Sequence, residues 1–531
     1  MRVLLVVYDN GAYMHHFPMG LGYIAAILER EGYDVDVYSQ DMHHYPDEHL
    51  TEFLDTNHYD VVCISLIAGY YQYQRLVGLS KAINNAKDRP FYILGGYGPT
   101  PEPEYFMQVS GADCIVMGEG EETAVELFDA IANKRPLSLI SGIAYDDGGK
   151  CMINPRRGVV EDLDSIPWPA YHLFPMEYYR LLKRPGQPDT EFTLSMMSAR
   201  GCTFKCTFCY RMDPGYRARS GEGLLAEVEF LYKEYGVTRI SFMDDLMMTS
   251  IAHTEEICNA FEKANLPVTW DCNGRLNYCT PELLAHMKRA GCVFINYGIE
   301  AMDDEVLKLM KKGLRTEQVV KGVEWTLEAG ISPGLNILFG NLGDTKETLQ
   351  KGVDFLIKYD DQAQRRTIRP VTPYPGSPLY HMAIEQGLLD GPADFYEKKH
   401  LNSDLLCCNF TELTDDEVYA CLEDANKQLA ENFFDSNRDK AMAQIEHLYR
   451  EKDTTFRGFR QGAKSQGKSK PAAALTFGAV SDSMWRRQST VLLFRLLGYF
   501  ELRFANCSIW NLMPLTIVTY HFVRDLRNSR Y

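Results

Sequence analysis

Hydrophobic positions in the first part of the chain gather in short runs separated by longer amphipathic stretches. Residues 2–8, Arg-Val-Leu-Leu-Val-Val-Tyr, are nearly all apolar, as in a strand covered on both faces. Residues 34–39, 61–66, 91–94 and 114–117 repeat that β-rich pattern. Between them, apolar residues recur at helical spacing over 20–31, 73–86 and 121–132. Strands alternating with helices predict a doubly wound parallel sheet over residues 1–145. Prolines 167 and 169 mark an extended linker, 146–190, because the residue before a proline avoids helix. The alternation then resumes over 191–385. Strand-like runs at 192–197, 239–243, 268–275, 293–300, 334–339 and 367–371 are spaced by helical patterns at 223–235, 254–264, 281–290, 317–329 and 346–358. Residues 386–460 read as a mostly helical, acidic region, with helices at 414–432 and 436–451.

Charge separates the last part from the rest. The chain of 531 residues carries a net charge of −17, which argues against general nucleic-acid binding. Residues 455–531 oppose that trend, with twelve Lys and Arg against three acids. A flexible basic linker at 461–471 leads there to apolar runs at 491–523 flanked by Arg486, Arg487, Arg495, Arg503, Arg524 and Arg527. Length alone allows a membrane span. Asn506, Asn511, Pro514 and His521 favour an interfacial segment or a buried cap instead, and the arginines suit an anionic lipid surface.

Fourteen cysteines in a chain of this length do not make a disulfide scaffold. Three of them stand as C-x3-C-x2-C, Cys202, Cys206 and Cys209, with Phe208 placed to pack over a small ligand. Three thiolates on so short a loop can hold three corners of a cubane iron–sulfur cluster. Such clusters normally take four cysteines, so the fourth iron keeps an open position. The competing reading is a zinc knuckle, which needs a fourth ligand that no nearby second pair supplies. The adjacent pair Cys407-Cys408 reads as core or pocket wall.

The motif C-x3-C-x-aromatic-C after a short strand resembles the signature of the radical S-adenosylmethionine (SAM) enzymes. That resemblance implies a partial (β/α)6 barrel, with Cys202, Cys206 and Cys209 as ligands of a 4Fe–4S cluster. In the family the open iron chelates SAM, and an electron from the cluster cleaves SAM to a 5′-deoxyadenosyl radical. Functional groups in such barrels sit at strand C-termini. Asp244 and Asp245 are placed there for the SAM ammonium, Arg275 for its carboxylate, Glu300 for the ribose hydroxyls and Asn336 for the adenine edge. A salt-bridge network at the barrel rim is the alternative role for these residues.

Ligands of a doubly wound sheet bind at the C-terminal ends of its strands. Those ends carry Ser65-Leu66, Gly95-Gly96 and Gly118-Glu119-Gly120. Together with Pro18-Met-Gly20-Leu-Gly22, they resemble the cobalamin-binding domain that precedes the barrel in one radical SAM branch. The axial-histidine motif D-x-H-x-x-G is missing after the first strand. His43 and His44 read as solvated loop residues, so cobalamin is expected without a protein histidine on cobalt. A vestigial domain without cofactor is the alternative.

The whole is similar to the cobalamin-dependent radical SAM methyltransferases, with SAM, cobalamin and a 4Fe–4S cluster as cofactors. The expected reaction is methylation of an unactivated carbon of an apolar, lipid-like or natural-product-like small molecule. An electron donor such as flavodoxin or ferredoxin is implied. Two alternatives stand beside this: an anaerobic oxidative cyclase of the magnesium-protoporphyrin ester type, and a cobalamin or redox sensor. With no signal-peptide pattern at its start, the chain is expected in the cytoplasm, with peripheral membrane contact through the basic tail.

Overall fold

In the computed structural model, the described residues are 1–11, 17–183, 188, 190–213 and 215–452. Seven strands make the first sheet: β1 (Arg2–Val7), β2 (Asp34–Ser39), β3 (Val61–Ser65), β4 (Phe91–Gly95), β5 (Cys114–Val116), β6 (Ile143–Asp146) and β7 (Cys151–Ile153). Their order is β2-β1-β3-β4-β5-β6-β7. The first five are parallel, and β6 and β7 add antiparallel at the edge. The sheet therefore runs past residue 145 to Ile153, because a glycine turn folds β7 back onto β6. Val3, Leu4, Leu5 and Val6 of β1 are fully buried, the two-sided burial that their continuous apolar run predicts. Strand order reverses between β1 and β3, which opens a crevice at their C-terminal ends.

Aromatic packing holds the strap after β7. Phe17 lies 5.0 Å from both Tyr171 and Phe174 and 5.7 Å from Tyr179, centroid to centroid. Ala170 N–H donates to the carbonyl of Gly22 at 3.0 Å, and a Cβ at Gly22 would stand 2.9 Å from Pro169.

The second sheet starts at β8 (Thr193–Met196). A two-stranded hairpin follows, β9 (Ala199–Gly201) with β10 (Tyr216–Ala218), and the sheet resumes with β11 (Arg239–Phe242), β12 (Thr269–Gly274), β13 (Cys292–Glu300), β14 (Ser332–Phe339) and β15 (Ile368–Pro370). Its order is β15-β14-β13-β12-β11-β8, all parallel. Six consecutive parallel strands with helices between them form the open (β/α)6 barrel. A single helix, Asp415–Glu451, replaces the two expected at 414–432 and 436–451. No proline or glycine interrupts it, and Thr414 with Glu417 makes a capping box at its start. Cys407 and Cys408 are buried in the apolar cluster on one face of the first sheet. The described residues lie in one compact unit. Among them no helix is long and apolar enough to cross a membrane; the tail from residue 453 lies outside the described residues.

Candidate active site

The cysteine loop leaves the second sheet through the β9–β10 hairpin. Gly201, Arg200 and Ala199 pair with Tyr216, Arg217 and Ala218, so residues 202–215 project as one loop from a closed base. Gly201 has φ +79°, and a Cβ there would sit 2.4 Å from the Gly215 carbonyl. Only glycine closes the base that tightly. Asp244, at the end of β11, anchors the entry. Its Oδ1 accepts from Ser198 N at 2.8 Å and its Oδ2 from the Ser198 hydroxyl. Burial pushes this carboxyl up to about 6. Thr207 fixes the far side: its N–H donates to Met310 at 3.0 Å, and its carbonyl accepts from Leu379 N at 2.8 Å.

Cys206 is buried, Cys202 half-buried and Cys209 exposed. A hydrogen bond from Cys209 holds Cys206 down at about 6, with Lys312 and Arg275 adding their fields. The thiol of Cys209 is raised in return, and burial raises Cys202. Among the described residues no three His, Cys, Asp or Glu side chains converge on one metal ion.

Arg275 lies beside this loop and is buried. Its Cζ stacks 3.3 Å from the Phe204 ring centroid, and its Nε donates to Asn277 at 3.0 Å. Its Nη2 is buried without a hydrogen-bond partner. A buried guanidinium nitrogen left bare is costly, and a carboxylate is the acceptor its fork matches. Glu300 ends β13 with φ +74°, where the β13–β14 register slips between Gly298 and Glu300. A left-handed glutamate at a strand end is strain of the kind that collects at functional sites. The strain turns the side chain back to Lys312, whose Nζ lies 2.8 Å from Oε1.

Across the barrel interior runs a row of amides. Asn273 Nδ2 donates to the Asp244 carbonyl at 2.7 Å, Asn296 Nδ2 to Asn273 Oδ1 at 3.0 Å, and Asn336 Nδ2 to Asn296 Oδ1 at 2.7 Å. Asn336 thus presents its side chain from an exposed position in line with Asp244. Sequence reading named Asn336 but neither Asn273 nor Asn296, since single asparagines in strands carry no motif.

Opposite the loop, the strand ends of the first sheet face a cavity of about 940 Å³, near the upper end of the usual range for ligand pockets. Ser65, Gly95, Gly96, Gly118, Glu119 and Gly120 line it from one side, and Ala199, Arg200, Met243, Asp244 and Asp245 from the other. Leu66 is fully buried behind this wall. At Gly96, with φ +102°, a Cβ would stand 2.4 Å from the Leu66 carbonyl, so the close approach of these two strand ends requires glycine. Ile67, Tyr97 and Met243 expose 53%, 38% and 41% of their surface, apolar area that a bound cofactor would cover. Neither His43 nor His44 lines the cavity. His43 stacks on Tyr45, and His44 pairs with Asp9 at 3.0 Å.

Glu119 behaves differently from its neighbours. It accepts from Arg217 Nη1 at 3.0 Å and Nη2 at 2.8 Å and from Val160 N at 2.7 Å, and it pairs with Arg200, whose Nη1 lies 3.1 Å from its Oε1. Burial alone would raise its carboxyl; the Arg217 bonds and the Arg200 field hold it below the usual range instead. Glu121 takes the other edge of Arg200 at 2.6 Å. Sequence reading missed Arg200, Arg217, Lys312 and Phe204, because their partners come from distant segments.

Comparison with known proteins agrees with this geometry. Residues 196–356 match the radical SAM superfamily and residues 6–128 the B12 binding domain. An uncharacterized methyltransferase of Pyrococcus horikoshii is 30% identical over 377 residues, covering 70% of this chain and 79% of that one. The cytidylyl-2-hydroxyethylphosphonate methyltransferase of Streptomyces wedmorensis is 26% identical over 481 residues, covering 80% and 87%. The fold matches that of the radical SAM methyltransferase TsrM of Kitasatospora setae, solved with cobalamin and a [4Fe-4S] cluster. The TM-score is 0.64 and the identity 20%, over 80% of this chain and 88% of that one. The chain therefore belongs to the cobalamin-dependent radical SAM methyltransferase family. The two matched families make SAM and cobalamin its cofactors.

Proposed function

We propose that this enzyme is a C-methyltransferase acting on an unactivated carbon of an apolar or natural-product-like molecule. The observation that carries the reading is the shared cavity, onto which the strand ends of both sheets open. The lining also supports a substrate without negative charge: Arg200 and Arg217, the cations among the described lining residues, are both committed to Glu119.

In this reading Cys202, Cys206 and Cys209 hold the cluster, and Arg275 and Lys312 offset the negative charge of the thiolates. Arg275 Nη2 takes the SAM carboxylate, Glu300 the ribose, Asn336 the adenine edge, and Asp245, exposed in the cavity wall, the ammonium. Asp244 instead keeps the loop entry in place through Ser198. Ser65, Gly95, Gly96, Gly118 and Gly120 form the floor under cobalamin. When bound, SAM at the reduced cluster supplies the hydrogen-abstracting radical and cobalamin the methyl group. The protein contributes orientation and exclusion of water. A flavodoxin or ferredoxin would deliver the electron. The basic, apolar tail at 485–527 would bring the enzyme to an anionic membrane surface.

The test is anaerobic incubation of reconstituted enzyme with methyl-deuterated SAM, a reductant and cell extract. A product carrying three deuteria, formed together with 5′-deoxyadenosine, is the expected result. Turnover to 5′-deoxyadenosine with no deuterium in any product would overturn methylation in favour of cyclisation. No cleavage of SAM at all would leave the sensor reading.

A further inference from the structure

The loop that carries the cluster cysteines and the loop at the cobalamin end of the first sheet are joined by four buried charges. Arg200 and Arg217 are direct partners across the β9–β10 hairpin, so they form the base from which residues 202–215 project. Both reach across the cavity wall to Glu119, and Arg200 continues to Glu121. Their side chains are 16% and 9% exposed, and those of Glu119 and Glu121 are 6% and 8% exposed. A carboxylate offers about four acceptor sites. Glu119 uses two for Arg217 and one for the Val160 backbone, and the Arg200 guanidinium pairs with its Oε1 at 3.1 Å. Both of its oxygens are therefore engaged within the protein, although the sequence pattern places it among cobalamin contacts. Val160 also accepts from Arg217 Nη1 at 2.6 Å. One carboxylate thus ties together the first sheet, the strap and the cysteine-loop base.

The arrangement is rigid for a physical reason. Each guanidinium is a planar fork, and Arg217 engages Glu119 through both prongs, which fixes angle as well as distance. Two positive and two negative charges cancel, so the cavity wall keeps no net charge there. Arg200 is further fixed by its Nε at 3.0 Å from Met197 Sδ and by the Tyr23 ring, 5.8 Å from its Cζ.

We propose that Glu119, Glu121, Arg200 and Arg217 form a positioning clamp that sets the separation between the cobalamin floor and the cluster loop. The proposal rests on the functional reading above, in which each side holds its cofactor. Glu119 is then a positioning residue rather than a ligand contact. An ordinary stabilising ion pair would change unfolding alone; a clamp changes the distance between the two centres.

The experiment is pulsed electron paramagnetic resonance on anaerobic holoenzyme carrying cob(II)alamin and the one-electron-reduced cluster, which reads their dipolar coupling. Wild type should give one narrow distance distribution. Glu119→Gln keeps the shape but removes the charge, and should give a longer and broader distribution. Arg217→Lys keeps the charge but loses the fork, and should broaden it less; it also serves if Glu119→Gln does not fold. Narrow, unshifted distributions in the variants would overturn the clamp while leaving the functional reading intact. A wild type that lacks either paramagnetic signal after reconstitution would overturn the functional reading and the clamp with it.

Discussion

Lys312 holds the Glu300 carboxylate at 2.8 Å directly above Gly298. A Cβ at position 298 would stand 2.3 Å from Glu300 Oε1 and 3.0 Å from Lys312 Nζ. The glycine at the end of β13 leaves the space into which the glutamate folds back. Both charges are buried, and removing one partner of a buried pair costs about 3 kcal/mol or more. Lys312→Met should lower the denaturant midpoint by that order, and Lys312→Met with Glu300→Gln should recover most of it. Gly298→Ala should cost less than the lysine variant, because the atoms its Cβ would meet are the movable ends of Glu300 and Lys312. A Lys312→Met protein as stable as wild type would show the pair contributes nothing.

The cluster assignment separates two groups of cysteines. Cys202→Ala, Cys206→Ala and Cys209→Ala should each abolish the cubane signal and the formation of 5′-deoxyadenosine. Cys407→Ala and Cys408→Ala should leave both in place, since that pair is buried as core side chains and lies outside the C-x3-C-x2-C loop. Iron and sulfide analysis with electron paramagnetic resonance decides it. A full cubane signal in the triple variant would sink the assignment.

These two cases show what the sequence makes legible. Long-period patterns survived translation into structure well: the helices Glu121–Ala132 and Lys346–Lys358 begin and end where their periodicity does. The barrel strands also fall close to where the β-rich runs place them. Short pieces escaped. The hairpin β9–β10 has three residues in each strand, too few for a period, yet it aims the cysteine loop. The helix Asp47–Thr56 escaped as well, since only Leu50 and Leu54 of it are buried. At the site, the cysteine spacing is local and readable. Lys312 beneath Glu300, and Arg200 and Arg217 on Glu119, are contacts between segments that no local pattern encodes. Glu119 shows the limit most clearly: its position between two glycines marks a ligand loop, but its carboxylate is spent on two arginines.

His400 gives the chain a defined acid sensitivity. Its ring is stacked on Phe395 at 4.9 Å, and neither buried ring nitrogen has a hydrogen-bond partner. Burial lowers its pKa to about 4, against an ordinary histidine near 6.5. The unfolded chain therefore binds the proton first as pH falls, so stability is lost between about pH 6.5 and 4. At pH 5 that single group accounts for about 2 kcal/mol relative to neutral pH. His400→Phe keeps the stack and removes the titration. It should flatten the fall in unfolding midpoint between pH 7.5 and pH 5. An unchanged pH profile in the variant would mean that the ring is hydrated in solution and titrates normally.

The tail is tested by what it does to localisation. Residues 485–527 combine an apolar run with flanking arginines, beyond a Gly-, Ser- and Lys-rich stretch at 461–471. A basic residue close to an anionic surface contributes about 1 kcal/mol, so several together suffice for reversible binding at moderate salt. That attraction decays within a Debye length of ~8 Å at physiological ionic strength. The full chain should therefore sediment with vesicles containing an anionic phospholipid, and high salt should release much of it. Truncation before Ser465 should abolish sedimentation while the shortened chain still cleaves SAM, because every residue assigned here to the cluster and SAM lies before it. The competing idea is a tail that closes the substrate cavity. If the full chain ignores anionic vesicles and the truncated protein precipitates or loses SAM cleavage, the tail is a cap and the membrane reading fails.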